Sequence, residues 1–158
     1  MNRLTLVLIG LLFSITVAWG ENPKVGYPDG FRDWRHVKSQ VIKEGNPLFK
    51  AVGGIHHIYA NTKALEGYKT GIYPDGAVIV FDVFDARDAD NAISEGERKS
   101  VVVMERDAKK FEATGGWGYE IFDPKTKAGT VAPERARKCH ACHTQMKDQG
   151  FVFSKTRD

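Results

Sequence analysis

Residues 77–84 read Ala-Val-Ile-Val-Phe-Asp-Val-Phe, and no other stretch limits the fold so tightly. The run is β-branched and apolar on both of its alternating faces. That is the composition of a strand covered on both sides. It follows Tyr73-Pro74-Asp75-Gly76, a turn sequence in which Pro presets its own φ and Gly accepts a positive one. Further strands are expected at Arg35–Ile42, Ile55–Ala60, Lys99–Glu105 and Trp117–Phe122. Helical signals are fewer. Asn61 is a good N-cap for a short helix over 62–68. Pro133 suits the first turn of another that runs through Glu134 to Lys138. Phe31–Trp34 and Asp107–Phe111 read as single helical turns. The polar stretch Arg87–Gly96 reads as a loop, and Gly150–Phe153 as a short closing apolar segment. The expected fold class is therefore mainly β (α+β), an antiparallel sheet of about five strands with a few short helices.

Composition narrows the partners. The chain has 158 residues and a formal net charge of +3, with both signs interspersed. No basic stripe is present, so nucleic acid is not an expected partner. The start of the chain stands apart. Arg3 is followed by an apolar run from Leu4 to Val17, and Ala18-Trp19-Gly20 places small residues where a signal peptidase reads them. The run is shorter than the ~20 apolar residues of a spanning helix. A cleaved signal peptide over 1–20 is expected, then a single domain over 21–158 in the periplasm.

Chemistry concentrates near the C-terminus, in Cys139-His140-Ala141-Cys142-His143. The chain's two cysteines stand here, with a histidine directly after the second. This is the attachment pattern of a c-type haem. Two thiols at this spacing can add to the two vinyl groups of one porphyrin, which leaves His143 to offer a ring nitrogen to the iron. A disulfide between these cysteines would close a very small loop and constrain almost nothing. A thioredoxin-like pair belongs near the start of a βαβ unit. A zinc site needs four well-placed ligands, and five contiguous residues hardly wrap a tetrahedron. One covalently attached haem c is expected, with Cys139, Cys142 and His143 binding it and His143 as the metal ligand. Small c-type cytochromes of the familiar kinds are helical, and the strand-rich pattern here argues against them.

Six stretches together resemble the cytochrome P-460 family, which includes the cytochromes c′-β. They are Tyr27-Pro28-Asp29-Gly30-Phe31-Arg32-Asp33-Trp34, Gly54-Ile55-His56-His57-Ile58-Tyr59-Ala60-Asn61, Tyr73-Pro74-Asp75-Gly76-Ala77-Val78, Thr114-Gly115-Gly116-Trp117-Gly118, the haem motif, and Phe151-Val152-Phe153-Ser154. The resemblance implies a mainly antiparallel sheet, a homodimer, and a haem held at the chain's end. Members that oxidise hydroxylamine carry a lysine cross-linked to the porphyrin. Counting from Asp75-Gly76, the matching position here is Phe81, which cannot form that bond. In the c′-β members an apolar aromatic caps the distal face instead, and the resemblance gives that place to Phe81.

The sixth coordination position separates three functions. An open position suits nitric oxide or carbon monoxide. An enzyme oxidising hydroxylamine or nitric oxide needs a base beside the open site, and Asp82 and Glu120 are the candidate acids, each inside an apolar strand. Pairing of such acids with Arg98 or Arg106 is the plainer account. An electron carrier serving a redox partner protein needs a sixth ligand; Met104 is the one methionine placed to reach, and core packing is the more ordinary fate of such a residue.

Overall fold

The structure is a computed structural model, and it describes residues 23–157. The expected signal peptide at 1–20 lies outside the described residues. The sheet holds five strands in the order β1-β2-β3-β4-β5, each antiparallel to its neighbour in sequence. They are β1 (Arg35–Ile42), β2 (Gly54–Ala60), β3 (Val78–Ala89), β4 (Ala92–Arg106) and β5 (Trp117–Phe122). Three α-helices accompany them: α1 (Phe49–Val52), α2 (Thr62–Thr70) and α3 (Pro133–His143). Single 3₁₀ turns occur at Phe31–Asp33 and Glu112–Thr114, and a longer one at Thr144–Gln149.

The expected fold class holds, with one correction. Residues 87–96 are not a loop. They belong to β3 and β4, which continue past the sheet as a two-stranded ribbon closed at Asp90-Asn91. Both turn residues have positive φ, 54° and 59°, the backbone of the tight hairpin turn whose twist matches that of the strands. Nothing in the hydrophobic pattern announces the ribbon, because residues 85–95 are exposed and no apolar alternation is required of them. Two of the strands are consequently long, 12 and 15 residues.

Alternation along the strands sends side chains to two faces. On one face Ile58, Ile79, Met104, Trp117 and Tyr119 form a cluster with Ala64 of α2, Tyr73 and Val152. On the other, Val80, Val101, Val103 and Phe122 pack with Val25, Phe31 and Phe111. The double burial expected of residues 77–84 is thus observed. Met104 is 3 % exposed, enclosed within the first cluster.

Asp82 is a carboxylate buried in this apolar setting, and it is fully engaged. Arg32 Nη2 lies 2.7 Å from its Oδ2, and Arg98 Nε lies 2.8 Å from its Oδ1. Both guanidiniums also stand near the Phe84 ring, at 5.7 and 5.6 Å. This knot ties the segment before β1 to β3 and β4. At the entry of α2, Asn61 caps as the sequence indicates: its Oδ1 accepts from Ala64 N at 2.9 Å and from Val78 N at 3.1 Å.

Two substitutions measure these contributions. Asp82→Ala leaves two arginines without a counter-charge, and a loss of about 3 kcal/mol is expected, at the low end for a broken buried pair because both arginines retain solvent access. Asn61→Ala removes a cap that also serves β3, and about 1–2 kcal/mol should go with it. Urea unfolding monitored by circular dichroism reads both.

Candidate haem site

α3 starts at Pro133, whose fixed φ suits a first helical turn. Glu120 positions the chain that leads into it. The Glu120 carboxylate Oε1 accepts from Thr130 N at 3.0 Å and Val131 N at 2.8 Å. A Cβ at Gly129 would stand 2.8 Å from that carboxyl group, so a side chain there would displace the Glu120 carboxylate. Glu120 therefore serves as an anchor for the strap before α3. Asp82 and Glu120 both project to the sheet face opposite Tyr119; Asp82 is ion-paired with two arginines, and Glu120 Oε1 accepts from the strap. The structure does not bring either candidate acid to the face that carries α3.

Cys139 and Cys142 are free thiols one helical turn apart, the first half-buried and the second exposed. That spacing puts both on one side of α3. Burial pushes the Cys139 thiol up from its ordinary range. His143, at the end of the helix, is oriented by the returning tail. Its Nδ1 donates to the Phe151 carbonyl at 2.7 Å, which leaves Nε2 with its lone pair. A backbone carbonyl behind the ring is the ordinary device that fixes a ligating histidine's tautomer. Burial holds the ring's basicity below the usual range, so it stays neutral. The ring packs against Tyr119 at 5.1 Å and Phe153 at 5.0 Å between centroids.

The tail reaches this position through two consecutive left-handed residues, Gly150 at φ 65° and Phe151 at φ 68°. A non-glycine residue in that conformation costs roughly 1–2 kcal/mol. Here the turn aims the Phe151 carbonyl at His143 and lays its ring against His140 at 5.4 Å. Tyr68 and Ser154, joined by a 2.6 Å hydrogen bond, tie the tail to α2.

The sheet surface on the α3 side is incompletely covered. Phe81, Val102 and Ile121 are directly opposite one another across β3, β4 and β5, and all three are half-buried. Phe81 and Cys139 pack against the same apolar cluster. The Tyr119 hydroxyl is buried beside His143 with no partner among the described residues. A planar apolar group tethered to the cysteines would cover that strip, so donor set and surface both fit a haem. When bound, the haem would supply an iron centre for redox or small-ligand chemistry; Cys139, Cys142 and His143 are the residues that would hold it, over an apolar surface.

A five-stranded meander that offers two thiols and a histidine from one helix end defines a β-sheet haem protein. The chain belongs to the cytochrome P460 family, whose sequence model, described as Cytochrome P460, matches residues 28–154. No match was found among curated proteins. Membership brings the haem with it.

Sequence reasoning named Cys139, Cys142, His143 and Phe81, and the structure sets Phe81 and Cys139 against the same apolar cluster. It missed Tyr119 and Phe151. Tyr119 stands on a recognised strand, but register alone shows which residue faces the helix. Phe151 acts through its carbonyl, and no side-chain pattern marks that. Tyr119→Ala should cost about 3–5 kcal/mol, as the loss of a buried aromatic does. Tyr119→Phe should be neutral or slightly stabilising in haem-free protein, since it deletes an unpartnered hydroxyl. Thermal unfolding of both variants checks this.

Proposed function

We propose that this chain is an exported mono-haem c-type cytochrome that binds small uncharged gases, nitric oxide above all, at an open distal position. Cys139 and Cys142 form the thioether bonds and His143 Nε2 is the single protein ligand to iron. The observation that carries this reading is the strip Phe81–Val102–Ile121, apolar and half-covered, on the face that α3 overlies. Such a surface repels ions and admits nitric oxide or carbon monoxide.

The rival ligands and bases are engaged elsewhere. Met104 lies inside the core, and Asp82 is held by two arginines. Lysine chemistry is also accounted for at two positions. Lys99 Nζ donates to Gly53 O at 2.9 Å, and Lys63 Nζ to Asp75 O at 2.8 Å. With Phe81 where the cross-linking lysine would stand, the porphyrin remains unmodified.

We also propose a homodimer. β1 is an edge strand, and the exposed Val41, Phe49 and Ile93 line a groove of about 250 Å³ beside it. A second copy that covers this end removes an open edge.

Optical spectra of the purified protein test the main proposal. The ferrous form should be five-coordinate, bind carbon monoxide and nitric oxide, and lack the strong red shift of a cross-linked haem. A low-spin ferrous spectrum, or a red-shifted Soret band, overturns it. Changing both cysteines to alanine should release the haem to acid–solvent extraction, and haem that resists extraction argues against thioether attachment. Sedimentation should show a dimer at micromolar concentration.

A further inference from the structure

Five polar side chains stand in one hydrogen-bonded row on the sheet face that carries Asp82, and the haem site makes no use of them. Arg157 Nη2 lies 3.3 Å from His36 Nδ1, and His36 Nε2 lies 3.0 Å from Ser39 Oγ. Ser39 Oγ lies 2.8 Å from His57 Nδ1, and His57 Nε2 lies 2.6 Å from Glu95 Oε1. Ser39 and His57 are directly opposite one another on β1 and β2. Glu95 comes from the ribbon, so the extension of β3 and β4 completes the row. His36 and Ser39, three positions apart, would face opposite sides of a regular strand. The register shift between His36 and Lys38 turns both to one side, as a bulge does.

The two ends of the row fix every proton in it. A guanidinium only donates, and an ionised carboxylate only accepts. His36 Nδ1 therefore accepts from Arg157, and its ring carries the proton on Nε2 and donates to Ser39 Oγ. Burial first, then Arg157, hold His36 below its ordinary basicity, which keeps that ring neutral. His57 Nε2–H donates to Glu95, so Nδ1 is the acceptor of the Ser39 O–H. A hydroxyl whose proton is held by an imidazole, itself oriented by a carboxylate, is the arrangement of an activated nucleophile. As a structural tie the row is worth little, because exposed ion pairs add little stability and the Glu95 side chain is 50 % exposed. Ser39 is exposed, so a substrate reaches Oγ from solvent. None of the five residues lines the groove at Val41, Phe49 and Ile93.

We propose that Ser39 is a nucleophile toward carboxylic esters, with His57 as its base and Glu95 as the positioning residue behind that base. Oγ bonds to the ester carbonyl carbon, and its proton passes to His57 Nδ1. The bond from that carbon to the alcohol oxygen then breaks, and the departing oxygen takes the proton. Water repeats the two steps, releases the carboxylic acid and restores Ser39. The His36 N–H that held Oγ is the nearest donor for the carbonyl oxygen as it becomes negative. The rings of Tyr59 and Phe84 flank the two imidazoles, 5.5 Å from His36 and 5.8 Å from His57 between centroids. A site this open suits small, unhindered esters, of which acetyl esters are the type. The assignment is independent of the haem and of what binds to its iron.

The test gives p-nitrophenyl acetate to the holoprotein. Released p-nitrophenol is quantified by chromatography, away from the haem absorbance, and the acetyl group is located by peptide mass mapping after a brief exposure. The wild type should carry acetyl on Ser39. Ser39→Ala and His57→Phe should each abolish that adduct and lower the release rate about a hundredfold, the low end of what a positioned base supplies. His57→Gln takes the place of His57→Phe if that variant fails to fold. Glu95→Ala should lower kcat about tenfold and leave KM within about twofold, a split that mere loosening of the ribbon does not produce. Acetyl found on lysines alone, a release rate unchanged in Ser39→Ala, or a Glu95→Ala variant indistinguishable from wild type each overturns the assignment, and none of these outcomes touches the haem reading.

Discussion

A strand buried on both faces obliges the rest of the chain to supply two covers, and β3 is such a strand. Ile79 and Val83 on one side, and Val80 and Asp82 on the other, are all nearly inaccessible to solvent. Burying side chains of this size contributes about 1.5–3 kcal/mol each, so neither face can be left to water. The two covers are unequal. One face is closed by Val25, Phe31, Phe111 and the Asp82 knot. The other is closed by α1, α2 and the tail only in part, and a band of apolar side chains stays half-open where α3 passes. The candidate site is that shortfall. A flat prosthetic group would supply the area that the chain does not.

Charge follows the same division. The engaged acids Asp82 and Glu120 project to the closed face, where they fasten segments together. The half-open face carries aromatic and aliphatic side chains, with His56 and the Tyr119 hydroxyl as buried polar atoms lacking partners.

What the sequence revealed and what it concealed divide along physical lines. Strands with a dry face were legible, because burial demands apolar alternation: 35–42, 55–60 and 117–122 needed no correction beyond a residue at an end. The ribbon beyond Phe84 was not, because it is held by main-chain bonds and two positive-φ residues while its side chains face water. Cys139, Cys142 and His143 stand out in the sequence because thioether attachment would demand those residue types at that spacing. The plainer account of the acids, pairing with arginine, holds at Asp82, while Glu120 accepts from main-chain amides instead; within an apolar strand a carboxylate looks the same in sequence in either case. Only the fold, which brings Arg32 fifty positions along the chain to Asp82, distinguishes these cases.

The connectivity of the sheet has a consequence for assembly. Every strand pairs with its immediate neighbour in sequence, so each hairpin can close without waiting for distant chain. Short closures are fast and entropically mild. The attachment helix and the tail that orients His143 come after all five strands. The sheet can therefore be complete while residues 133–154 are still undocked, with both thiols accessible. Docking of the last segment can then follow on a finished scaffold, and a group held by it would be set in place without rebuilding the sheet.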